Sequence, residues 1–203
     1  MEAEKTSYRP FEYLDRMEGN NHIVLLYDNS KYADLIIARY IFNGLKKGES
    51  CIFFTSDNLE KVRKRLSAEG IDVGSLRIYQ TERDNENRPD ALSLLRTIRE
   101  EATRGMKPPY RFVGRTITDT ETVEGMKLGL LVEKTGNDHF QEFDCSQMCY
   151  YDISGIERSM RDEWIKGLLN NHGHVIYASE PDKAVAFETD LLQEEISSHS
   201  QVN

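Results

Sequence analysis

Short apolar runs alternate with longer stretches in which apolar residues recur at helical spacing, and this happens six times along the chain. The first run, His22-Ile23-Val24-Leu25-Leu26-Tyr27, has no polar alternation, which predicts a strand covered on both faces. Asp28-Asn29-Ser30 supplies helix-capping residues. Leu35, Ile36, Tyr40, Ile41 and Leu45 then mark an inward helical face, and Gly48 marks its stop. A second strand is predicted over 51–55, and Asp57 with Glu60 reads as a capping box for a helix carrying Leu59, Val62 and Leu66. A third strand spans 76–79. After a polar loop, Asp90 caps a helix with Leu92, Leu95, Ile98 and Ala102 inward. Pro108-Pro109 extends the backbone into a fourth strand over 110–114. Thr118-Asp119-Thr120 opens a helix with Val123, Met126, Leu130 and Leu131. A fifth strand over 147–151 precedes a second capping box, Ser154 with Glu157, and a helix with Ile156, Met160, Ile165, Leu168 and Leu169. The sixth strand is 174–178. Pro181 suits the first turn of a last helix over 181–196, with Val185, Phe187, Leu191 and Leu192.

Six strand–helix units predict right-handed crossovers and a three-layer, doubly wound α/β sheet that is mostly parallel. One domain over 20–180 accounts for the pattern. An N-terminal arm over 1–19, where Phe11, Tyr13 and Leu14 give a short helix or arm, precedes it, and a disordered tail over 197–203 ends the sequence. In such a sheet the ligand crevice lies outside the carboxyl ends of the strands. Tyr27, Asp28, Arg115, Tyr151 and Asp152 fall at those outlets.

The net charge of −9 argues against a nucleic-acid backbone or an anionic membrane as the main partner, since both select a basic face. No apolar run approaches the ~20 residues of a membrane span, and residues 1–9 lack the apolar core of a signal peptide. The three cysteines, Cys51, Cys145 and Cys149, form no disulfide framework. A cytoplasmic protein is expected.

The chain contains neither G-x-x-x-x-G-K-[ST] nor G-x-G-x-x-G. Without those glycines the backbone cannot wrap closely around a phosphate. Asp28, Asp57 and Asp152 at strand ends suggest a metal-binding acidic cluster, but capping and turn roles fit Asp28 and Asp57 better. Cys145 and Cys149, with His172 and His174, carry zinc-type ligands. Their spacing matches no established zinc pattern, so a core thiol and a strand-opening histidine are the expectation, with no metal and no cofactor. Arg115 directly follows an apolar strand. It pairs either with a ligand carboxylate or phosphate or with Glu133 or Asp152 as an internal buttress. Glu133, late in its helix, sits unfavourably against the helix dipole and needs such a partner. Nothing in the sequence requires an enzyme.

Residues 22–27, then Phe42-Asn43-Gly44-Leu45-Lys46-Lys47-Gly48-Glu49 and the strand from Cys51, resemble the opening of the MEDS family, the methanogen/methylotroph, DcmR-like sensory domain. Arg115, Glu133, Cys149-x-Tyr151-Asp152 and His172-x-x-Val175-Ile176 continue the likeness over roughly 20–180. The resemblance implies a RecA- or KaiC-like fold that has lost its nucleotide loop. It also implies a non-catalytic sensor for a small hydrocarbon derivative or related metabolite, working beside a histidine kinase or transcription regulator. The implied ligand residues are Tyr27, Asp28, Arg115, Glu133, Cys149, Tyr151, Asp152 and His172. The chain departs from the family after Arg115, where Thr116-Ile117-Thr118 replaces a more acidic turn. A separate signalling protein is the expected output, with a homodimer through a free edge strand as a further partner. The alternative is a degenerate RecA-like module that still binds nucleotide or assembles as an oligomer. A third reading is an enzyme using Asp28, Arg115 and Asp152.

Overall fold

The computed structural model describes residues 7–81, 90–115 and 120–189. Its centre is a seven-stranded sheet in the order β3-β2-β4-β5-β1-β6-β7, with β1 (His22–Tyr27), β2 (Ser50–Thr55), β3 (Arg77–Gln80), β4 (Tyr110–Val113), β5 (Cys145–Asp152), β6 (His174–Ala178) and β7 (Val185–Glu188). Every neighbouring pair is parallel except β6 and β7. Helices α1 (Pro10–Arg16), α2 (Ser30–Lys47) and α3 (Leu59–Ala68) cover one face. Helices α4 (Ala91–Thr103), α5 (Val123–Asp138) and α6 (Arg161–Asn170) cover the other. The doubly wound, three-layer architecture is therefore present, built on seven strands where the pattern predicted about six.

β1 explains the continuous apolar run. Ile23 and Leu25 point into the α1–α2–α3 layer, Val24 and Leu26 into the α5–α6 layer, and Ile23, Val24 and Leu25 are fully buried. Asn29 caps α2 by accepting the Tyr32 N–H, and Gly48 ends that helix at φ 76. The family-like stretch from Gly44 to Glu49 has a local cause. A Cβ on Gly44 would lie 2.3 Å from Arg111 Cδ, so glycine makes room for that side chain between α2 and the sheet. Glu49 then accepts two hydrogen bonds from the Arg111 guanidinium, at 2.5 and 3.0 Å. The guanidinium also sits 4.3 Å from the Tyr40 ring centroid.

Three local expectations shift. α3 is capped by Asn58, which accepts the Lys61 N–H, because Asp57 instead donates its N–H to Thr55 Oγ1. α5 is capped by Thr122; Thr118 and Asp119 lie outside the described residues. Glu157 caps the 3-10 turn Arg158–Met160, while Ser154 bonds back to Asp152.

The larger correction concerns the last predicted helix. Val185 and Phe187 belong to β7, antiparallel to β6, with Ala186 paired to Ile176. Ala186 also exchanges both backbone hydrogen bonds with Tyr8, at 2.8 Å each. The edge of β6 and the incoming N-terminal segment offer this stretch more backbone partners than an isolated helical turn would. Residues 190–203, including the predicted tail, lie outside the described residues. Among the described residues no helix is long and apolar enough to cross a membrane.

Candidate functional site

Connections leave β1 and β5 on opposite faces. The chain goes from β1 through α2 to β2 on one side, and from β5 through α6 over β1 to β6 on the other. This is the switch point at which open α/β sheets form a crevice. Tyr27 and Asp152, the last residues of β1 and β5, are paired across it.

β4 delivers Arg115 to the same end. Gly114 has φ 126, and a Cβ there would lie 2.4 Å from the Phe54 carbonyl oxygen. Only glycine lets the chain leave β4 so close to β2. The Arg115 guanidinium then lies 4.8 Å from the Tyr151 ring centroid. Tyr27 faces Tyr150 across 6.5 Å, and burial pushes its hydroxyl up to about 12. The two outlet aspartates act as local organisers. Asp28 accepts the Tyr177 hydroxyl at 3.0 Å, and Asp152 accepts the Ser154 N–H at 2.8 Å and its hydroxyl at 2.5 Å.

The other predicted site residues are not at the outlet. Glu133, Cys149 and His172 converge inside the protein, on the α5–α6 side of the sheet, and His22 joins them from the first position of β1. All four are buried, and one ligand atom from each lies within 4.8 Å of the others. Glu133 Oε2 stands 3.4 Å from His172 Nε2, 3.4 Å from Cys149 Sγ and 4.0 Å from His22 Nε2. Its other oxygen accepts a very short hydrogen bond from the Tyr151 hydroxyl. The companions that Glu133 requires late in a helix are thus the two imidazoles, the thiol and the phenol. Tyr151 links the two regions, with its ring beneath Arg115 and its hydroxyl on Glu133.

Neighbouring groups hold this cluster in place. His172 Nδ1 contacts the Leu168 carbonyl at 2.8 Å, which requires that nitrogen to carry the proton. The Gln147 amide donates to Cys149 Sγ at 3.1 Å, and Arg99 donates to the Gln147 carbonyl oxygen at 2.9 Å. His22 stacks on Phe140 with centroids 4.9 Å apart. Burial works to raise the Glu133 carboxyl, but its contacts with His172, His22 and Tyr151 outweigh that and hold it down at about 2. Burial, helped by His172, lowers His22 to about 3. Burial and the nearby Glu133 carboxylate push the Cys149 thiol and the Tyr151 phenol well up.

Of the four zinc-type ligands singled out in the sequence, only Cys149 and His172 meet. Cys145 packs against the α4 side of the sheet. His174 faces the opposite layer, where its Nδ1 lies within hydrogen-bond distance of the Tyr13 hydroxyl, at 2.6 Å. Sequence reasoning passed over His22, Gln147 and Arg99. The signal was a ligand-capable residue at the head of an otherwise apolar run, and it gained meaning only once His22 was paired with Gln147.

A sheet of this order, with its crevice at β1 and β5, defines a RecA-like α/β domain. The family model described as MEthanogen/methylotroph, DcmR Sensory domain (MEDS) matches residues 21–172, and the chain belongs to that family. Among solved structures, the chain is similar to a Pyrococcus horikoshii OT3 protein studied as PH0250, with 10% identity, TM-score 0.59, and 85% of this chain and 89% of that one covered. It is also similar to the KaiC-like protein PH0186 of the same organism, with 15% identity, TM-score 0.53, and 80% and 73% covered. A third solved structure, an ATPase domain, matches at 10% identity and TM-score 0.51, with 84% and 74% covered. At these identities the likeness concerns the fold. No curated protein matches the chain.

Proposed function

We propose that this sensory domain binds a small molecule, a simple hydrocarbon derivative or related metabolite, at the carboxyl ends of β1, β4 and β5. The observation that carries this reading is the placement of Arg115 over Tyr151 at the switch point, beside the paired ends Tyr27 and Asp152. Tyr27 and Tyr150 on one face of the sheet and Tyr151 on the other flank the outlet with aromatic rings, and a guanidinium supplies one directional polar contact for a carboxylate, phosphate or other electronegative group. Asp28 and Asp152 shape the floor through their turns. Occupation shifts the segments flanking the outlet, and a separate signalling protein, a histidine kinase or a transcription regulator, reads that shift. Family membership supports the sensory role.

A thermal-shift screen of small oxygenated, halogenated and carboxylated metabolites tests the site, because a ligand that binds only the native state raises the melting temperature. The expected result is at least one hit that disappears in Arg115→Ala while the variant keeps its native circular dichroism. Hits that survive Arg115→Ala unchanged would move the site elsewhere. The second reading, a residual nucleotide module, draws on the RecA-like neighbours alone. The absence of both glycine-rich phosphate motifs weighs against it, and a magnesium-dependent shift with ATP in the same screen would revive it.

A further inference from the structure

We propose that His22, Glu133, Cys149 and His172 form a tetrahedral site for a divalent transition ion of the zinc class, buried beneath the outlet. The inference does not rest on the small-molecule reading. The donors are two imidazole nitrogens, a carboxylate oxygen and a sulfur, the mixture that zinc takes. Tetrahedral zinc, with bonds of about 2.0–2.3 Å, holds its donor atoms roughly 3.3–3.8 Å apart. The contacts in the cluster are 3.4 Å for His172–Glu133, 3.4 Å for Cys149–Glu133, 3.9 Å for Cys149–His22 and 4.0 Å for His22–Glu133. The remaining two pairs lie within 4.8 Å, so a contraction of up to about 1 Å brings the whole set to that geometry.

The hydrogen bonding points the same way. His172 directs its Nδ1 to the Leu168 carbonyl, so its Nε2 faces Glu133 Oε2 at 3.4 Å, and among the described residues that buried nitrogen makes no hydrogen bond. A buried nitrogen and a buried carboxylate oxygen that face each other at this distance are placed to share one cation. The surrounding contacts are those that orient metal ligands: a helical carbonyl on the far nitrogen of His172, the Tyr151 hydroxyl on the second oxygen of Glu133, and the Gln147 amide on the sulfur. With four protein donors the site is closed, so its role is to fasten α5, β1, β5 and the segment before β6 together.

The test begins with the full chain purified without chelator. Elemental analysis is expected to find close to one zinc per chain. Removing it with a chelator should lower the melting temperature, and adding zinc back should restore it. Cobalt(II) added to the stripped protein should give the visible bands of a tetrahedral ion and a thiolate charge-transfer band in the near ultraviolet. Cys149→Ser should abolish the latter, whereas Cys145→Ala should leave both intact. Folded His172→Gln protein is expected to lose most of its zinc. If it does not fold, the chelation and cobalt measurements on the unaltered chain decide. Substoichiometric zinc with no response to added zinc or cobalt would overturn the proposal in favour of a buried Glu133–imidazolium pair. Zinc retained in full by a folded His172→Gln variant would overturn it as well.

Discussion

Individual side chains carry disproportionate weight where charge is buried. Arg111 and Glu49 are 8% and 13% exposed and form a two-point pair under α2. Removing one partner strands the other charge, so Glu49→Ala is expected to cost about 3–5 kcal/mol in urea unfolding. Gly114→Ala should cost about 1–3 kcal/mol, because it forces a side chain into a left-handed backbone against the Phe54 carbonyl. Thiol chemistry gives a pH test. Burial pushes Cys51 up to about 12 and Cys145 up to about 11. An unfolded thiol ionises near about 8.5, so above that pH the unfolded chain loses protons that the fold retains. The stability these two thiols contribute is complete below that value and falls as pH rises toward the folded values. Both should stay silent to Ellman's reagent in the native protein and react once urea unfolds it. At this scale the sequence was partly readable. Glu133 could be singled out because a carboxylate late in a helix needs company, and Cys149 and His172 by their ligand chemistry. His22 could not, since its neighbours come from β5 and from before β6, and only the strand order brings those segments to it.

The elements were more readable than their partners. Continuous apolar runs announced β1 and β2, and capping side chains announced α2 and α4, because both signals act within a few residues. β7 was illegible for the opposite reason. Four residues after a proline-led turn carry little periodicity of their own, and their strand identity comes from β6 and from Tyr8, which is remote in sequence. The same logic orders local stability. Amide exchange should be slowest in β1 and β5, flanked on both sides and buried, and faster in the edge strand β3, where three residues are half-buried and one is exposed. Protection in β3 equal to that in β1 would contradict this order. Asn29→Ala should destabilise by about 1 kcal/mol through loss of the α2 cap.

For the molecule as a whole, two centres are stacked along one direction. Arg115, Tyr151 and Glu133 form a chain of contacts from the outlet to the buried cluster. Tyr151→Phe keeps the ring under Arg115 and deletes only the hydroxyl. It is therefore expected to preserve outlet binding in the thermal-shift screen while lowering the melting temperature of the unliganded protein. Equal loss of both would mean that the two regions behave as one.

The bridge between Tyr8 and Ala186 also makes the described ends of the chain near neighbours, about one strand spacing apart at the rim opposite β3. A cut in an exposed loop elsewhere, combined with a short tether joining these ends, should yield a circularly permuted chain that still folds. Tyr8 and Ala186 thus share one rim of the sheet, set apart from the mouth between β1 and β5 by β6.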